Sequence, residues 1–219
     1  MPPSNYTQVL PSYPLQELSD AQQECVIYGG TFDPPHQGHI DMVKMVLDLG
    51  VREVRVVPTA DPIHKQGHSV TPFIHRHKMA RIAFKDLSNV LVDDIESRLP
   101  QPTPTIETLN ALFPDLLKRK ERVPFLLGGD SIEHMASWVE AKKLVENVLF
   151  LVAPRKGSII PQTILVNGET IPLAIKVLDR PMDISATELR KALRSKEALK
   201  HMLTQEVLDY IQRHNLYQD

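Results

Sequence analysis

Two histidines, His36 and His39, follow the run Gly29-Gly30-Thr31-Phe32-Asp33-Pro34-Pro35, with Gln37 and Gly38 between them. Val26-Ile27-Tyr28 ahead of the glycines reads as a short apolar strand, and the residues after His39 carry helical spacing. A glycine-rich turn between strand and helix gathers backbone N–H groups and the positive end of a helix dipole at one point, where a phosphate binds. Imidazoles at that point add charge-assisted hydrogen bonds. The other reading is a shared metal ion, since histidines at helical spacing ligate together. His64, His68, His75 and His77 are near in sequence, but no cysteines stand at zinc spacing. The position just after the glycine pair favours anion chemistry.

Further candidates lie at other strand ends. In Pro58-Thr-Ala-Asp-Pro62-Ile-His-Lys65 the lysine is a phosphate ligand if its loop closes over a site, and a solvated charge otherwise. Leu126-Leu-Gly128-Gly129-Asp130-Ser131 ends in residues that cap a helix; the carboxylate could equally hold a ribose hydroxyl or order a hydrated magnesium ion. The lone tryptophan, Trp138, is a core residue or a stacking platform for a heteroaromatic ring. Ile184-Ser185-Ala186-Thr187-Glu188-Leu189-Arg190 has the capping-box spacing of a helix start. The same geometry offers free N–H groups, hydroxyls and a guanidinium to a second anion. No Gly-x-x-x-x-Gly-Lys-Ser/Thr loop and no nucleophile elbow occur, and Tyr28-Gly-Gly-Thr31 lacks the spacing of a dinucleotide-binding turn.

The elements that must position these groups alternate. Strand signals fall at 25–28, 54–58, 90–92, 124–128, 148–153 and 174–178; helical signals fall at 38–49, 72–84, 105–120, 131–145, 185–194 and 204–213. Gly50 is placed to cap the first of these helices. Such alternation predicts an α/β, doubly wound, mainly parallel sheet with helices on both faces, binding ligands at the carboxyl ends of the strands. Residues 154–172 read as a loop with room for a small hairpin. Residues 1–22, with four prolines and no sustained period, read as a flexible lead-in to a single domain over 23–219.

Bulk properties narrow the class. The 219 residues are 42% apolar and 24% charged with a formal net charge of −2. That balance gives no basic field for nucleic acid. One cysteine, Cys25, excludes an internal disulfide and fits a reducing compartment. No apolar run approaches the roughly 20 residues that span a bilayer, and no signal peptide is read at the start. A cytoplasmic location is expected, and self-association is left open.

Together these segments resemble the nucleotidylyltransferase superfamily and, within it, the nicotinate mononucleotide adenylyltransferase family. Residues 29–39 are similar to its opening signature and 184–190 to its closing one. Residues 62–65, 104–109, 128–131 with Trp138, and 155–157 resemble its internal motifs in order, and 204–217 its final helix. Three positions depart from the pattern: Ile63 for a second proline, Pro104 for an aromatic residue, and Val139 where some members carry another aromatic. The resemblance implies a Rossmann-like fold and transfer of the adenylyl group of ATP to nicotinate mononucleotide, giving deamido-NAD and pyrophosphate. It implies that His36, His39, Lys65 and Arg190 are catalytic. Gly29, Gly30, Thr31, Phe32, Gly129, Asp130, Ile184, Ser185 and Thr187 would meet ATP. Asp33, Thr105, Trp138 and Arg155 would meet the pyridine nucleotide. Magnesium would arrive on the ATP phosphates, with no protein metal ligands. Nicotinamide mononucleotide as acceptor, phosphopantetheine adenylyl transfer, and a non-catalytic nucleotide-binding regulator stay open.

Overall fold

Val26, Ile27 and Tyr28 are all buried, but successive side chains enter opposite cores. The strands are accordingly continuous apolar runs, as a parallel sheet covered on both faces requires. A computed structural model describes residues 18–62, 70–154, 159–179, 184–195 and 201–218. Its strands are β1 (Val26–Gly30), β2 (Val54–Pro58), β3 (Val90–Val92), β4 (Val123–Gly128), β5 (Val148–Ala153), β6 (Thr163–Val166), β7 (Glu169–Pro172) and β8 (Ile175–Val177). Its helices are α1 (Asp20–Glu24), α2 (Gln37–Leu47), α3 (Phe73–Ala83), α4 (Thr105–Leu112), α5 (Gly129–Glu133), α6 (Ala141–Asn147), α7 (Ala186–Ser195) and α8 (Gln205–Arg213).

Six strands form one parallel sheet in the order β3-β2-β1-β4-β5-β8. The winding starts at β1, runs outward through β2 and β3, then returns to the other side of β1 with β4. The switch point therefore lies between the carboxyl ends of β1 and β4, the crevice where such sheets bind ligands. The expected doubly wound fold is present. One face buries Val26, Tyr28, Val54, Val56 and Leu126 against α2, α3, α7 and α8. The other buries Ile27, Val57, Phe125 and Leu127 against α4, α5 and α6.

Within 154–172 the expected hairpin is β6–β7, an antiparallel pair. Its turn, Asn167-Gly168, has φ of 51° and 82°, the doubly left-handed geometry that this dipeptide favours. The cap expected at Gly50 falls earlier: α2 ends at Leu47 with Asp48 as its C-cap, and Gly50, at φ 84°, closes the turn that follows, its N–H donating to Leu47 O.

Two predicted helices are shorter than their apolar spacing suggested. The helix expected over 105–120 stops at Leu112, because Pro114 cannot continue it. The one expected over 131–145 breaks into α5, a 3₁₀ turn at Met135–Ser137 and α6, with Glu140 left-handed at φ 52°. Trp138 thus stands in extended backbone between elements, not on a helix. Residues 18–22, read as part of the lead-in, fold too: Leu18 is buried and Ser19 caps α1. Among the described residues no helix is long and apolar enough to cross a membrane.

Candidate active site

The glycine pair ends β1, and the chain then turns sharply at Phe32, a buried residue with φ of 50°. A left-handed phenylalanine is strained and persists only where its surroundings hold it. Here its ring meets Tyr28 edge-on at 5.1 Å, Phe84 at 6.2 Å and the His39 ring at 5.0 Å. Beneath the turn lies Arg76, 1% exposed, whose guanidinium donates to the carbonyls of Thr31, Thr59, Ala60 and Thr71 at 2.7–3.0 Å. The Phe32 N–H is antiparallel to the Thr31 carbonyl across a trans peptide, so it points away from that cation.

His36 occupies the N-cap position of α2. Its backbone N–H donates to His39 Nδ1 at 3.0 Å, and the two rings lie 3.7 Å apart. An Nδ1 that accepts cannot carry the proton, so neutral His39 is the Nε2–H tautomer and presents a donor on its far edge. One helix-start donor expected for an anion is spent internally: Gln37 N–H donates to Met202 O at 2.8 Å.

Arg190, on α7, reaches this turn from 157 residues away. Its Nη1 donates to Asp33 O at 2.7 Å and its Nη2 to Thr187 Oγ1 at 3.3 Å. Among the described residues these two bonds engage two of its five N–H donors. Ser185 accepts the first helical bond of α7 from Leu189 N–H, so Ile184, Ser185 and Thr187 surround that helix start. The two helix starts are therefore joined through Asp33.

On the other side of the turn a cavity of about 260 Å³ opens between β1 and β4. Gly29, Gly30, Thr31, Thr105, Trp138 and Glu96 are among its lining residues, over a floor of Ile27, Val57, Phe125 and Leu127. The cavity is largely apolar with a few polar groups, the character of a small-molecule site. Glu96, 5% exposed, accepts from Ala60 N–H and the Thr108 hydroxyl, both at 2.9 Å, and burial raises its carboxyl above the ordinary range.

Several expected ligands have other surroundings. Asp33 is 3% exposed; its carboxylate accepts from Tyr217 OH at 2.6 Å and Thr71 N–H at 3.4 Å, and it is not part of the cavity wall. Gly129 is buried, where a Cβ would lie 3.2 Å from Ile160 Cδ1. Asp130 is in the first turn of α5, whose N-cap is Gly128, so neither Asp130 nor Ser131 is the cap. Lys65 and Arg155 lie outside the described residues. Arg76, Glu96 and Tyr217 were missed from sequence. Only Arg76 carried a signal, a charge on the buried stripe of its helix with Met79, Ala80 and Ala83.

A family model described as cytidylyltransferase-like matches residues 27–192. A probable nicotinate-nucleotide adenylyltransferase of Dehalococcoides mccartyi is 33% identical over 87% of this chain and 95% of its own. The nicotinate-nucleotide adenylyltransferase of Bacillus subtilis is 29% identical over 88% and 97%. A solved structure of the Plasmodium falciparum nicotinic acid mononucleotide adenylyltransferase, complexed with NaAD, superposes with a TM-score of 0.70 at 28% identity, covering 89% of this chain and 97% of that one. With its glycine turn, paired histidines and joined helix starts, the chain belongs to the nicotinate-nucleotide adenylyltransferase family of cytidylyltransferase-like proteins.

Proposed function

We propose that this protein transfers the adenylyl group of ATP to nicotinate mononucleotide, releasing pyrophosphate and forming the deamido form of NAD. The observation that carries the reading is the bond from Arg190 of α7 to the Asp33 carbonyl in the turn that leads into α2, beside a cavity of a size for the acceptor. The acceptor's 5′-phosphate has a second pKa near 6 and is already mostly dianionic at neutral pH. No side chain need remove a proton. The oxygen attacks the α-phosphorus of ATP, the bond to the β-phosphate oxygen breaks, and pyrophosphate leaves with the electron pair.

The protein's task is to align two polyanions and stabilise charge that grows during transfer. His39 Nε2–H, His36, and the Gly30, Thr31 and Phe32 amides face the α-phosphoryl group in this reading. Arg190, Ser185 and Thr187 take the outgoing phosphates, and Lys65 is assigned to the same phosphates on the family resemblance. Thr105 and Trp138 hold the pyridine ring in the cavity. Among the described residues no group of three or more His, Cys, Asp or Glu is placed to hold a metal. Magnesium is assigned to the ATP salt, bound by phosphate oxygens and water, as its preference for octahedral oxygen ligands favours.

The test is pyrophosphate release with ATP and, in parallel, nicotinate mononucleotide, nicotinamide mononucleotide or phosphopantetheine. Turnover confined to the pyridine nucleotides, fastest with the acid, is expected. Product from phosphopantetheine alone, or ATP binding with no product from any acceptor, overturns the reading. His39→Ala should lower kcat by 10²–10³, about 3–4 kcal/mol of barrier, while ATP affinity changes little. An equal loss in both would reduce His39 to ground-state binding.

A further inference from the structure

We propose that Tyr217 is a positioning residue for adenylyl transfer, whose hydroxyl acts through Asp33 to hold the His36–His39 turn and Arg190 in register. The inference rests on the function proposed above and adds a residue to it.

Tyr217 follows α8 and crosses 184 residues of sequence to donate from its hydroxyl to Asp33 Oδ1 at 2.6 Å. Hydrogen bonds from a neutral donor to a carboxylate are short and strong when buried. Asp33 stands two residues after Thr31 and three before His36, in the middle of the turn. It is gripped at both ends: Arg190 Nη1 holds its main-chain carbonyl, while Tyr217 and the Thr71 N–H hold its carboxylate. Any tilt of Asp33 therefore moves the turn and the guanidinium together.

The backbone of Tyr217 is left-handed, with φ of 62°. A bulky residue there needs compensating contacts, and the bond to Asp33 is one of them. Burial and the neighbouring carboxylate raise the phenol's pKa well above its usual range, so it stays a donor at any working pH. A second tie runs in parallel, from Gln37 N–H at the start of α2 to Met202 O ahead of α8. The segment around α8 thus meets the catalytic turn on both sides of His36. Packing alone would require the ring. It would not require a hydroxyl on the carboxylate that Arg190's own partner carries.

The experiment compares the full chain with Tyr217→Phe, which keeps the ring, and Val207→Ala, a buried core change in α8. Steady-state kinetics with ATP and nicotinate mononucleotide, thermal unfolding, and amide hydrogen exchange over 30–40 and 184–194 are measured on each. Tyr217→Phe should lower kcat by about tenfold or more, leave the acceptor KM within about twofold, and speed exchange in both segments. Val207→Ala should lower the melting temperature at least as much with kcat unchanged. Wild-type kcat in Tyr217→Phe, unchanged exchange, or an equal kcat loss in Val207→Ala overturns the proposal. Failure of the wild-type chain to use the pyridine nucleotide overturns instead the function on which it rests.

Discussion

Arg76 shows how much of the site is held by a residue that does no chemistry. It binds four carbonyls from three separate segments: the turn after β1, the exit of β2 and the approach to α3. Burial lowers its pKa, while Asp33, Glu96 and Asp61 act against that shift. Arg76→Met would leave those carbonyls unpaired in a dry interior and should cost about 3–5 kcal/mol of stability. Urea unfolding measures it. Arg76→Lys should recover only a minor part, because an ammonium cannot span the planar fork; full recovery would mean that charge alone matters. This residue was partly legible, since a charge on an apolar helical stripe demands buried partners. Tyr217 was not legible: nothing local to it indicates a partner 184 positions earlier.

At the scale of elements, local chemistry marked most of what formed. Strand runs with glycine or proline at their ends, the Asn167-Gly168 turn and Gly50 all act through their own backbone. The break between α5 and α6 escaped because the apolar residues on its two sides, Ile132 and Met135 before it and Leu144 and Val145 after it, enter one core. That break turns Trp138 to the cavity. Glu96 is the complementary case, a tertiary tie from the exit of β2 to α4. Its folded pKa lies above the unfolded one because burial penalises the charge. Its contribution is therefore most favourable below the unfolded carboxylate range and is lost as pH rises through the folded value. Glu96→Gln can accept from Ala60 N–H and donate to Thr108 Oγ1 without a charge. The variant's stability relative to wild type should rise as pH is raised from about 4 to 7, read as the shift in denaturation midpoint at each pH. A flat difference across that interval would show that burial does not oppose the charge.

For the molecule as a whole, the sheet divides the site into two halves, and the glycine pair carries that division in two adjacent residues. Strand alternation sends Gly29 to the α4 face and Gly30 to the α2 face. A Cβ at Gly29 would lie 2.6 Å from Phe125 Cζ, on the cavity floor. A Cβ at Gly30 would lie 3.1 Å from Phe32 Cζ, the ring that packs against His39. Gly29→Ala must therefore displace the floor of the cavity proposed for the acceptor. It should raise the KM for nicotinate mononucleotide by about tenfold or more with little change in ATP affinity. Gly30→Ala asks Phe32 to give by a few tenths of an ångström. It should lower kcat with a smaller effect on the acceptor KM, since it moves the turn and its imidazole instead of the cavity. Steady-state kinetics on the two single variants decide the matter. If both raise the acceptor KM alike, or both lower kcat alone, the two faces do not serve separate substrates. The assignment of ATP to the α2 side and of the acceptor to the α4 side would then fail, even with transferase activity intact.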